Sequence, residues 1–291
     1  MLQGPAKAWV GEVIRSLLLA GVLMVQSATA DSLWREIIRD FNLPDPPPDT
    51  RLMVEQSRWL KGGLLDKLAL ARPWLYYVYE QTTRAGLPSE IALLPFVESA
   101  WNPTATSRAG AEGMWQFMDG TAREYRLKTQ GQCDGRQDVI QATGSAIRLL
   151  TDLRRDFGDW HLALAAYNAG ATRVREAQKK NLSENKSTDF WALDSLAKET
   201  QLYVPRLLAL RELVSEQMVL DEPLPWLPAQ PLLKVVDTPP GSWSAVAERT
   251  GMPVPVLRQL NPCWQDGPKQ KSLILVPTNL RKADWIGQWL G

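Results

Sequence analysis

Between residues 70 and 220, apolar side chains return every three or four positions, the spacing of helices with one face turned to a core. Trp74, Leu75, Val78 and Tyr79 mark such a face within residues 72–84, and Gly86 stops it. Ser89 is placed to cap a helix through Ile91, Leu94, Val97 and Glu98 that Asn102-Pro103 ends. Another helix is expected from Val139 to Phe157, closed by Gly158. Trp160 to Ala169 is apolar nearly all round, so burial on most sides is expected. A long amphipathic stretch covers Thr200 to Val219. No alternating pattern suited to a strand occurs between residues 50 and 220, so this part reads as an all-helical domain.

The pattern changes on either side. Prolines 223, 225, 228 and 231 make residues 221–231 a linker. After it, Leu232 to Val236 and Ser272 to Val276 suit two strands, with short helical patterns at Trp243 to Arg249 and Val254 to Leu260 between them. A βααβ unit over residues 232–280 would be a small, separate module with a thin core. Ahead of the helical domain, residues 31–70 form an extension in which Pro44 to Asp49 reads as an extended surface segment. Lys7 and Arg15 precede a nine-residue apolar run, Leu17 to Val25, far short of the roughly 20 residues that span a bilayer. With Ala28-Thr29-Ala30 behind it, this run reads as a signal peptide over residues 1–30, an uncleaved anchor being the alternative. Export to the periplasm or cell envelope is therefore expected, and no cysteine sits at the cleavage point to carry a lipid.

A chain of 291 residues suits two domains, here 71–220 and 232–280. Its 33 basic and 32 acidic side chains build no positive field, so a nucleic-acid partner is not expected. One histidine rules out a multi-histidine zinc site, and Cys133 and Cys263 are not spaced as a metal knuckle; neither metal nor cofactor is expected. His161 lacks a Gly-x-Ser-x-Gly elbow to serve and reads as structural. Export permits a disulfide between the two cysteines, and two free thiols fit as well. The 13 tryptophans exceed the 5 phenylalanines and 6 tyrosines together, which points to a demanding core or to surfaces that stack on rings.

The candidate chemistry begins at Glu98. Leu94, Pro95, Val97 and Trp101 surround it in sequence, and a poorly hydrated carboxyl keeps its proton to higher pH, as a general acid must. A carboxylate capping a helix or pairing with an arginine is the bland alternative. Ser107 to Gly113 follows as a loop of small residues that lets backbone approach a ligand, and it ends in Trp115-Gln116-Phe117-Met118. An indole, an amide and a thioether in succession suit a sugar; Trp115 and Phe117 also suit a core.

Glu98-Ser99, Asn102-Pro103, Gly110-Ala111, Gly113 and Trp115-Gln116-Phe117-Met118 resemble the signature of the lytic transglycosylases that cleave peptidoglycan, in particular the membrane-bound transglycosylase D type. Tyr167-Asn168-Ala169-Gly170 and Glu199-Thr200-Gln201-Leu202-Tyr203-Val204-Pro205 match two further motifs of the family in order. The resemblance covers roughly residues 70 to 215 and implies a mainly α, goose-lysozyme-like fold acting on peptidoglycan strands, without a cofactor. It implies Glu98 as the catalytic acid and later base, with Ser107, Trp115, Gln116, Met118, Tyr167, Asn168 and Tyr203 as substrate-binding residues. Most glycosidases need two carboxyls, and Glu112, the only other acid within that signature, reads as solvated. A lone acid implies that the sugar's own 6-hydroxyl attacks, leaving a 1,6-anhydro end. A hydrolytic muramidase and a non-catalytic peptidoglycan-binding protein stay open as alternatives. At the C-terminal end, Ser244 to Ala247, Gly251, Leu257, Asn261-Pro262 and Leu273 to Pro277 resemble a LysM glycan-binding module. Pro240 to Trp243 departs from that pattern in a loop expected to touch sugar.

Overall fold

The computed structural model of the protein describes residues 32–216, 224–225 and 227–283. The expected signal peptide lies outside these residues, as does part of the expected linker. Helices follow one another through the first part: α1 (Leu33–Arg39), α2 (Thr50–Lys61), α3 (Leu64–Ala69), α4 (Leu75–Arg84), α5 (Leu94–Ser99), α6 (Asp119–Glu124), α7 (Val139–Phe157), α8 (Trp160–Ala169), α9 (Ala171–Ser183) and α10 (Lys198–Ser215). Short acidic side chains set several of the starts. Asp49 accepts from the Arg51 amide, Asp138 from those of Ile140 and Gln141, and Asp159 from that of Leu162. Among the described residues no helix is long and apolar enough to cross a membrane.

Two expectations change in detail. Ser89 caps nothing: its hydroxyl donates to the Ile37 carbonyl at 2.7 Å, and the chain runs through a 3-10 turn, Ser89–Leu93, before α5 begins. The extension 31–70 is itself largely helical, and α2 packs along α10. As the apolar pattern requires, α8 is buried from His161 to Ala166 between α7, α9 and α10. His161 is held at both nitrogens, by the Pro44 carbonyl at 3.1 Å and by the Trp191 indole N–H at 3.1 Å. Burial lowers its pKa, so the ring stays neutral and ties the proline-rich segment to the helices.

The C-terminal part is a βααβ unit. Strand β1 (Leu233–Thr238) pairs antiparallel with β2 (Ser272–Pro277), Val235 opposite Leu275, and α11 (Trp243–Thr250) and α12 (Val254–Leu260) lie between them. Asn261 bonds α12 to β2: its side chain donates to the Leu257 and Leu275 carbonyls and accepts from the Leu275 amide. Trp243, Val246, Leu257 and Ile274 fill a core of its own. Separate it is not. Leu233, Val256, Leu260 and Leu275 join the core of the helical part, and a Cys133–Cys263 disulfide links the two. The described part of the expected linker is also packed down rather than free. Trp34 donates to the Pro225 carbonyl at 2.8 Å, the Leu33 amide to that of Leu227 at 2.9 Å, and Leu224 and Leu227 are buried.

Candidate active site

Helix α5 ends abruptly beneath Glu98. Ala100 and Trp101 both take positive φ, and their amides bond back to the Phe96 and Pro95 carbonyls, closing the helix. That turn buries the Trp101 indole and leaves Glu98, in the last turn, half-buried. The Tyr203 hydroxyl from α10 donates to Glu98 Oε1. Desolvation raises the Glu98 pKa to about 7; the bond from Tyr203 holds it down, the Glu199 charge pushes it up, and the Arg206 charge pulls it down. Near neutral pH the carboxyl is therefore poised between donor and acceptor.

The loop that follows α5 is folded back on itself and fixed from below. Ser99 Oγ donates to the Met114 carbonyl at 2.9 Å, and short bridges join Thr106 to Glu112 and Glu112 to Phe117. Gly113 has φ +82°, and a Cβ there would lie 1.8 Å from the Arg136 carbonyl oxygen; only glycine fits. The expected sugar-binding residues divide. Met118 stands 47% exposed beside this loop. Gln116, half-buried, gives both amide hydrogens to backbone, at Ala105 (3.1 Å) and Gly113 (2.8 Å), so its carbonyl oxygen is what it can offer a ligand. Ser107 Oγ accepts from the Ala111 amide at 2.9 Å and keeps its proton free to donate. Asn168 Oδ1 accepts from Thr200 Oγ1 at 2.8 Å, which joins α8 to α10.

Trp115 is the correction. Its indole is fully buried and its Nε1 donates to Thr143 Oγ1 at 3.0 Å, so it cannot stack on a sugar. Its carbonyl instead receives the Tyr167 hydroxyl at 2.7 Å, which seats Tyr167 within electrostatic reach of Glu98. Burial keeps both Tyr167 and Tyr203 protonated, their pKa values well above the usual tyrosine value. Glu112, expected to be solvated, accepts from Gln137 Nε2 at 3.0 Å. Glu199 belongs to the Glu199–Pro205 motif, but sequence reasoning missed it as a neighbour of Glu98; its place one turn before Tyr203 on α10 was the available signal. Among the described residues, the one cluster with metal-ligand atoms in reach of one another is Cys133, Asp138 and Cys263, and its two sulfurs are spent on the disulfide.

Residues 76–190 match the transglycosylase SLT domain family. Over 233 residues the chain is 37% identical to membrane-bound lytic murein transglycosylase D of Escherichia coli K12, a match covering 79% of this chain and 51% of that one. The chain thus spans about half the length of that relative. Soluble lytic murein transglycosylase of Salmonella typhimurium is 27% identical over 60% of this chain and 28% of its own. Among solved structures, lytic transglycosylase Slt of Pseudomonas aeruginosa, an inactive E503Q mutant, is 27% identical over 50% of this chain and 24% of that one, with a TM-score of 0.37.

Proposed function

This chain carries a transglycosylase SLT domain, and from that premise we propose that it is a lytic transglycosylase cleaving the bond between N-acetylmuramic acid and N-acetylglucosamine in peptidoglycan. The observation that carries the reading is the Glu98 carboxyl, with its pKa raised to about 7 and a tyrosine hydroxyl on it. Protonated, Glu98 gives its proton to the glycosidic oxygen, and the bond to the anomeric carbon breaks as the leaving hydroxyl forms. Positive charge develops on the muramyl ring, where the N-acetyl carbonyl of the same sugar stabilises it. Glu98, now a carboxylate, takes the proton of the ring's 6-hydroxyl while that oxygen bonds the anomeric carbon. The product is a 1,6-anhydro end, and the acid is regenerated without water. Holding nucleophile and electrophile on one ring makes a second protein carboxylate unnecessary. Ser107, Gln116, Met118, Tyr167, Asn168 and Tyr203 bind and orient the glycan in this reading, with Trp115 acting only through its carbonyl.

A second reading has a specific observation behind it. The Glu199 charge acts on Glu98, and an exposed acid there is able to activate water, which would make the protein a hydrolytic muramidase. We further read residues 1–30 as an export signal to the periplasm, and residues 232–280 as a LysM-like module. Zymography on murein with wild type and Glu98→Gln tests the first reading. Clearing by wild type alone supports it, and equal clearing by both ends the role of Glu98.

A further inference from the structure

Glu55 lies on α2, outside the matched domain, and the reaction above makes no use of it. Its side chain is 1% exposed, and a charge so buried needs a partner. Arg206 supplies it: Nε lies 2.9 Å from Glu55 Oε2, with Arg58 Nη1 3.6 Å from the other oxygen. Arg206 is three residues beyond Tyr203 on α10, so both side chains leave the same side of the helix. That is the side on which Tyr203 reaches Glu98. Trp59, one turn beyond Glu55 on α2, fixes the same junction. Its Nε1 donates to the Arg206 carbonyl at 3.0 Å, and its ring centroid lies 4.9 Å from that of Phe96, two residues before Glu98. Helix α2 therefore grips both the helix that carries the acid and the helix that carries its tyrosine.

We infer that Glu55 is a positioning residue for the catalytic acid, anchoring the Arg206 guanidinium on α2 and so keeping that cation from pairing with Glu98. The inference rests on the reading of Glu98 as proton donor. A guanidinium released beside a carboxyl closes a charge-assisted pair with it and favours the ionised form, and an ionised Glu98 has no proton to give. Tyr203 from α10 touches Glu98, and Glu199 and Arg206 from α10 and Tyr167 from α8 lie within electrostatic reach of it. From α2, Glu55 pairs with Arg206, and Arg58 lies on the other oxygen of Glu55. Of the cations in this set, Arg206 is the one that acts on the acid, and Glu55 is the group that holds it.

The test is the pH dependence of murein clearing. In Glu55→Gln the alkaline limb is expected to move to lower pH by about one pH unit or more. In Glu55→Gln/Arg206→Gln, which removes the competing cation and the downward pull that Arg206 already exerts, the limb returns to its wild-type place or above it. Glu55→Asp keeps the buried charge, and so the fold, while shortening the anchor; a smaller displacement in the same direction is expected, and this variant decides if Glu55→Gln does not fold. A limb that stays in place in the folded single variants overturns the inference, as does one still displaced to lower pH in the double variant. Glu98→Gln run alongside separates the two levels. Clearing by that variant sinks the reading of Glu98 itself, whereas an inactive Glu98→Gln with an unmoved limb sinks only the role of Glu55.

Discussion

A carboxyl that keeps its proton to about pH 7 is a cost to the fold as well as a tool. The folded pKa lies above the 4.5 of a freely solvated glutamate, so the neutral form favours folding; that contribution is whole below the unfolded pKa and is lost as pH rises through the folded one. Glu98→Gln removes the titration. Thermal unfolding is expected to show this variant more stable than wild type at pH 8, by about 3 kcal/mol, with the difference vanishing near pH 4. The same variant should lose at least about a hundredfold in murein clearing. Tyr203→Phe deletes the hydrogen bond that holds the Glu98 pKa down. Its alkaline limb should therefore move upward while its rate falls about tenfold, the worth of one bond to a charged group. Glu98 and Tyr203 were both legible in the sequence because each sits in a motif with fixed neighbours. Trp115 was not, since an indole beside an amide suits a sugar and a core equally, and only the Thr143 hydroxyl behind it decides.

At the scale of elements, the loop between α5 and α6 shapes the site, and backbone bonds rather than side chains hold it. Gly113→Ala places a methyl on the Arg136 carbonyl at a φ that alanine resists. The expected outcome is a loss of upwards of about 2 kcal/mol in stability together with loss of clearing, since Gln116 hangs from the Gly113 carbonyl. Full activity in a folded Gly113→Ala would show that the loop does not set the site. The long helices were readable from their apolar spacing and acidic caps. Helices α1, α2, α3, α6 and α9 were less so, because their faces are short or strongly charged and tertiary contacts define them. The meeting of Glu55 with Arg206 is separated by 151 positions, a distance no local pattern reports.

For the whole molecule, the sequence pattern suggested two parts joined by a tether, and the structure fastens them at three places: the disulfide, the shared core and the strap along α1. Composition marks proline-rich segments but does not tell a tether from a strap, because the difference lies in whether leucines such as Leu227 find a surface. Cys133→Ser/Cys263→Ser opens a link between residues 130 apart and is expected to cost about 2–4 kcal/mol in unfolding free energy. The shared core should nevertheless keep both parts melting in one transition, and two separate transitions in calorimetry would show that the disulfide alone joins them. The central claim, a lone acid whose substrate provides the attacking oxygen, is tested most directly by mass spectrometry of the fragments released from purified murein. The account predicts muramyl ends lighter by one water than hydrolysed ends, formed as 1,6-anhydro sugars by wild type and absent with Glu98→Gln; fully hydrated reducing ends from wild type would contradict it.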